Sequence, residues 1–143
     1  MNKNEMQIRF GTNSENESLA RMVIAGFIMR LDPNLEELAD IKTAVSEAVT
    51  NCIIHGYLDA DGEIVLNSWI EGKDVYIEIL DFGLGIKDVE KAMEPMFTTR
   101  PDLHRSGMGF AFMEAFMDEL KVESEVGKGT RIWMKKRIGS DSV

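Results

Sequence analysis

Ser46-Glu47-Ala48-Val49-Thr50-Asn51-Cys52-Ile53-Ile54-His55-Gly56 decides how the rest of the chain is read. Ala48, Val49, Cys52 and Ile53 have the spacing of a helix that faces a core. Glu47, Asn51 and His55 recur every four residues in the same stretch, so they stack as one polar stripe on that helix. A carboxylate, an amide and an imidazole in a row are costly to bury without partners. The stripe is either a solvated helix face or one that meets a polar partner.

Outward from this stretch, Asp32-Pro33 supplies a cap and a first-turn proline, and the helix runs from there to Gly56, a candidate C-cap. Upstream, Met6, Ile8 and Phe10 alternate with Gln7 and Arg9 as in a half-buried strand. Ser14 and Glu17 have capping-box spacing for a first helix that runs to about Leu31. Downstream, residues 63–70 and 75–82 are strand-like and joined by a short turn at 71–74. Residues 87–106 are turn-rich and read as a long loop, which in a compact domain is usually functional. Met108 to Leu120 has helical spacing, and residues 122–126 and 131–136 form a last hairpin. The order β-α-α-β-β-loop-α-β-β predicts a two-layer α/β sandwich, a mixed sheet with helices on one face.

The chain has 143 residues, 44% of them hydrophobic, which suits one domain spanning 1–143 with its own core. A net charge of −9 argues against nucleic acid as a direct partner and is compatible with a basic protein. Cys52 is the only cysteine, so no internal disulfide forms and a reducing cytoplasm fits. No apolar run reaches the roughly 18 residues of a membrane span, and the polar start MNKNEMQ does not read as a signal peptide.

Three more motifs accompany the stripe. Asp81-Phe82-Gly83-Leu84-Gly85 ends a strand, Ser106-Gly107-Met108-Gly109 opens a helix, and Gly127-Lys128-Gly129-Thr130 lies between the last strands. Singly, each reads as a turn or a helix start. In this order and spacing they resemble the nucleotide signature of the GHKL (Bergerat-fold) ATPases and kinases. The residues NSENES, LDP, IKTAVSEAVTNCIIHGY, PMFTTRPDLHRSGMGF and SEVGKGT narrow the resemblance to the sporulation anti-sigma F factors.

The resemblance implies ATP and Mg²⁺ as cofactors and residues 87–106 as a mobile ATP lid. It implies that Asn51 gives its side-chain oxygen to Mg²⁺, that Glu47 is general base on a serine hydroxyl, and that His55 lies near the ribose or phosphates. Asp81 would accept from the adenine amino group, Gly83 and Gly85 would let the backbone pass close to the base, and Thr130 would reinforce the base contact. Thr98, Thr99, Ser106, Gly107, Met108 and Gly109 would approach the phosphates, and Arg105, with Arg100 as the alternative, would neutralise the transferred group. On the first helix, Leu19, Met22, Val23, Gly26 and Phe27 make one apolar stripe, and Ile24 and Ile28 lie on another side beside Arg21. The family implies that this region meets partners, with Arg21 in contact: a sigma factor, an anti-anti-sigma factor that receives phosphate, and a second copy in a homodimer. A histidine-kinase catalytic domain and an ATP-gated binding module without transfer are the rival readings.

Overall fold

The computed structural model describes residues 4–93 and 109–139. Strand β1 (Asn4–Gly11) is followed by helices α1 (Asn16–Ile28) and α2 (Leu35–Asn51), with a short 3-10 turn (Met29–Leu31) between them. A π-helical turn (Cys52–Gly56) extends α2, and strands β2 (Glu63–Glu71) and β3 (Asp74–Asp81) form a hairpin. After them come a single turn α3 (Val89–Ala92), helix α4 (Gly109–Phe116), and strands β4 (Glu119–Glu125) and β5 (Gly129–Arg137).

The five strands form one sheet in the order β1-β2-β3-β5-β4. Alternation sorts their side chains: Ile64, Leu66, Ile70, Val75, Ile77, Ile79, Ile132 and Met134 are buried beneath Ile24, Ile28, Ile41, Val45 and Val49 of the helices. The other sheet face is half-exposed, with Trp69 stacked on Tyr76 at 5.3 Å and Lys121 over the Trp133 ring. The two-layer sandwich is therefore as expected.

The sheet itself is a correction. Every neighbouring pair is antiparallel, so the expected mixed sheet does not form. Between β1 and β2 the chain reverses three times, into α1, into α2 and into β2, so those strands meet antiparallel. The single crossover through α4 does set β4 running with β3, but β5 stands between them. No parallel contact arises.

The helix starts also differ. No side chain caps α1; Glu17 instead accepts hydrogen bonds from the Ser46 and Thr50 hydroxyls of α2. The capping box belongs to α2, where Asn34 Oδ1 accepts from Glu37 N–H at 2.7 Å and Glu37 Oε1 from Asn34 N–H at 2.9 Å. Asp32 is left-handed, with φ 52°, and closes the preceding turn. Helix α4 stops at Phe116 because Leu120, Val122 and Ser124 alternate against Glu119, Lys121 and Glu123, a strand period.

The two sides of α1 separate. Ala20, Ile24 and Ile28 are fully buried, while Leu19 and Met22 are 44% and 73% exposed. The apolar stripe on which Leu19 and Met22 lie is thus not the core side of this helix.

Candidate active site

The inner face of the sheet is apolar along most of its length and turns polar at one end. Phe10, Ile64, Asp81, Thr130 and Ser124 are cross-strand partners in one row across all the strands. Asp81 and Thr130 are 3% and 5% exposed, so a carboxylate and a hydroxyl sit side by side at the edge of the core.

Asp81 is heavily engaged. Its Oδ1 accepts from Gly83 N–H at 3.0 Å. The Cys52 thiol and the Thr130 backbone N–H add further bonds. Burial still dominates and pushes the Asp81 carboxyl above its ordinary range, with these donors pulling the other way. Burial, and next the Asp81 charge, push the Cys52 thiol well up, so it stays a neutral donor.

The π-helical turn places Gly56 under this carboxylate. Tyr57 N–H reaches back five residues to Cys52 C=O, at 3.0 Å. Gly56 is not a left-handed cap; a Cβ there would lie 2.7 Å from Asp81 Oδ2. Gly83 is required for a similar reason, since its Cβ would stand 2.0 Å from Gly56 C=O. The backbone of 82–86 is laced on both sides. Leu84 N–H donates to Gly56 C=O at 2.9 Å, and Leu84 C=O accepts from Gly127 N–H at 2.8 Å. Ile86 N–H donates to Ser124 Oγ at 2.6 Å. The Tyr57 hydroxyl accepts from Phe82 N–H at 2.7 Å and donates to Glu63 C=O, which pins the same loop to β2.

Glu47 and Asn51 are half-buried on α2, and His55 is half-buried in the π turn. Glu17 braces the neighbouring stripe, Ser46 and Thr50. Of the phosphate-side residues, Gly109 is described: it is buried and opens α4, which packs on α2. Thr98, Thr99, Arg100, Arg105, Ser106, Gly107 and Met108 lie outside the described residues, as does most of the expected lid. Arg21 is half-exposed and donates to Ser18 Oγ at 3.1 Å. Among the described residues, no group of three His, Cys, Asp or Glu side chains could hold a metal ion. No helix among them is long and apolar enough to cross a membrane.

Residues 10–136 match the family model of the histidine kinase-like ATPase domain. An anti-sigma F factor of Clostridium acetobutylicum is 57% identical over 96% of this chain and 96% of its own length. One from Geobacillus kaustophilus is 54% identical over 99% of this chain and 97% of its own. This chain belongs to the anti-sigma F factor family.

The fold is also that of solved structures at low identity. The RsbU and RsbW domains of a Mycobacterium tuberculosis protein match with a TM-score of 0.67 at 21% identity, over 94% of this chain and 32% of that one. The nucleotide-free catalytic domain of histidine kinase ThkA matches with a TM-score of 0.57 at 16% identity, over 96% and 98%.

For an anti-sigma F family member, the motifs read from sequence fall into two groups. Asp81, Gly83, Gly85 and Thr130 come together with the end of the π turn at one edge of the sheet. Glu47 and Asn51 line the helix that leads there. No sequence motif assigns a role to Ser124, Tyr57 or Cys52, yet each bonds directly to a residue of these motifs. Ser124 carried a usable signal: it is polar on the apolar side of its strand, after Leu120 and Val122.

Proposed function

We propose that this chain, as a single domain spanning 1–143, is a cytoplasmic anti-sigma factor that is also a Mg-ATP-dependent protein-serine kinase. It binds a sporulation sigma factor, and it phosphorylates a serine of the anti-anti-sigma factor that would otherwise release that sigma factor. The observation that carries this reading is the buried Asp81–Thr130 pair at the end of the Asn51 helix, in a chain more than half identical to anti-sigma F factors along nearly all its length.

The residues fit a nucleotide. Asp81 is an acceptor aimed from a buried edge, and the glycine backbone beside it admits no side chain. Bound Mg-ATP supplies the phosphoryl group and the cation that neutralises its charge. Asp81 accepts from the amino edge of the base, with Thr130 beside it. Asn51 would offer an oxygen to Mg²⁺, a cation that takes oxygen ligands and commonly keeps few from the protein. Glu47, one turn before Asn51, takes the proton of the incoming serine hydroxyl. Gly109 at the start of α4 stands on the phosphate side. Thr98, Thr99, Ser106, Gly107 and Met108 contribute there, and Arg105 offsets the charge in transfer, with His55 further along the α2 wall.

The exposed face of α1 supports a partner role. Leu19 and Met22 are apolar and exposed, and Arg21 stands between them in sequence. Arg21 contacts the sigma factor and the anti-anti-sigma factor, and the working form is a homodimer. The −9 charge favours encounter with a basic partner.

The test is transfer from radiolabelled ATP to a candidate anti-anti-sigma protein, with wild type and Glu47→Gln. Phosphoserine on the partner, lowered about 10²–10⁴-fold in Glu47→Gln with ATP binding retained, is the expected result. Phosphohistidine would make the chain a histidine-kinase catalytic domain. Tight, ATP-dependent partner binding with no transfer would make it a binding module.

A further inference from the structure

The polar row Asp81–Thr130–Ser124 contains a hydroxyl that the nucleotide reading leaves unused. Ser124 lies one strand beyond Thr130, on β4, and its Oγ meets three groups. Ile86 N–H donates to it at 2.6 Å, Gly129 C=O lies at 2.9 Å, and Thr130 Oγ1 lies at 2.8 Å.

A serine hydroxyl has one proton and two lone pairs. The amide N–H can only donate, so it takes one lone pair. The Gly129 carbonyl can only accept, so it takes the proton. With both bonds in place, only a lone pair remains for Thr130, which must therefore donate its own proton to Ser124. Thr130 is then left with nothing but lone pairs toward the site. Its cross-strand neighbour Asp81 is also an acceptor when ionised.

We propose that Ser124 sets the base specificity of the site: by taking the Thr130 proton it makes Thr130 an acceptor, so that two adjacent acceptors select an amino-substituted purine and reject a 6-keto purine. This rests on the reading of Asp81 and Thr130 as the base contacts. Ser124 is a positioning residue; it acts through the Thr130 hydroxyl and does not touch the base. With both acceptors set against the exocyclic 6-substituent, a keto oxygen gives them no proton and leaves them unpaired, since the N1–H of a 6-keto purine sits on the neighbouring ring atom; that is the costly kind of mismatch. Freed from Ser124, the Thr130 hydroxyl turns and donates to that oxygen.

The experiment is equilibrium binding of ATP and of ITP, its 6-keto counterpart, to wild type, Ser124→Ala, Thr130→Val and the double variant. Wild type prefers ATP. Ser124→Ala narrows the ATP:ITP preference by about tenfold, mainly by improving ITP. In the Thr130→Val background the same change at 124 leaves the ratio where it was, because no hydroxyl remains to be turned. Ser124→Cys keeps the side-chain shape with a slightly larger atom, replaces a strong acceptor with a weak one, and moves the ratio in the same direction if the alanine variant does not fold. The proposal is overturned if Ser124→Ala, or Ser124→Cys in its place, lowers both affinities equally, since a purely structural serine predicts an unchanged ratio. A wild-type protein that binds ATP and ITP equally, or neither, removes the base-reading role of Asp81 and Thr130 as well, and this proposal with it.

Discussion

Gly83→Ala puts one of the two closest backbone approaches in the site to a direct test. The added Cβ would lie 2.0 Å from Gly56 C=O and 2.5 Å from its carbonyl carbon. Both are main-chain atoms of the π turn, so no side chain can swing aside. Relief requires 82–86 to lift away from Gly56, which breaks the Leu84 N–H to Gly56 C=O bond. Overpacking costs about 1–3 kcal/mol and the lost bond about 1 kcal/mol, so the variant loses about 2–4 kcal/mol. With an unfolding entropy of about 2.1 cal/mol/K per residue, 143 residues give about 0.3 kcal/mol/K. The melting temperature should then fall by about 7–13 °C. ATP affinity should fall with it, since Gly83 N–H also holds Asp81 Oδ1. The control is the same substitution at Gly26, in the interior of α1, where an added Cβ meets nothing within 4 Å. Gly26→Ala should gain about 0.5–1 kcal/mol, or about 2–3 °C, from helix propensity alone. Thermal melts and ATP titrations of both variants suffice. A Gly83→Ala protein that melts within about 2 °C of wild type and binds ATP normally would refute the close contact as a fixed feature of the fold.

Two further outcomes follow from the geometry. Because burial raises the Asp81 carboxyl, the folded nucleotide-free protein holds that proton to higher pH than the unfolded chain, so this group's contribution to stability declines as pH rises from the ordinary carboxylate value through the folded one. ATP affinity should move oppositely and strengthen over that window as the carboxylate forms; titrations from about pH 4 to pH 7 should show this in wild type and lose it in Asp81→Asn, and an identical profile in both would exclude Asp81 as the titrating group. Asn34→Ala removes the capping box of α2 and should cost about 1–2 kcal/mol in a denaturant melt, whereas Ser14→Ala should cost almost nothing, the reverse of what sequence spacing alone suggests.

That reversal shows where local pattern stops being informative. Ser14-x-x-Glu17 and Asn34-x-x-Glu37 carry the same spacing, yet Glu17 is claimed by Ser46 and Thr50 on another helix, a long-range choice that spacing cannot express. The strands were legible because alternation is local: Ile64, Leu66, Ile77 and Ile79 point inward as their period demands. Strand order was not legible. Whether β4 or β5 lies against β3 depends on which edge the crossover reaches, and the mixed-sheet expectation failed there. The Glu47, Asn51 and His55 stripe and the glycine motifs were visible because several residues recur at fixed offsets. Ser124, Tyr57 and Cys52 act singly, and each gains its meaning from a partner at least five residues away in the chain: Thr130, Phe82 and Asp81.

The place of β5 in the sheet has a consequence for the order in which the chain can fold during synthesis. The last of the described strands in sequence is not an edge strand; it fills the gap between β3 and β4. Until Gly129–Arg137 has emerged, β3 has one open edge, β4 has no neighbour at all, and Asp81 lacks the strand that carries Thr130. A nascent chain can therefore pair β1, β2 and β3 and pack α1 on α2, but it cannot close the sheet or complete the Asp81–Thr130 row. Completion of that row therefore waits on β5.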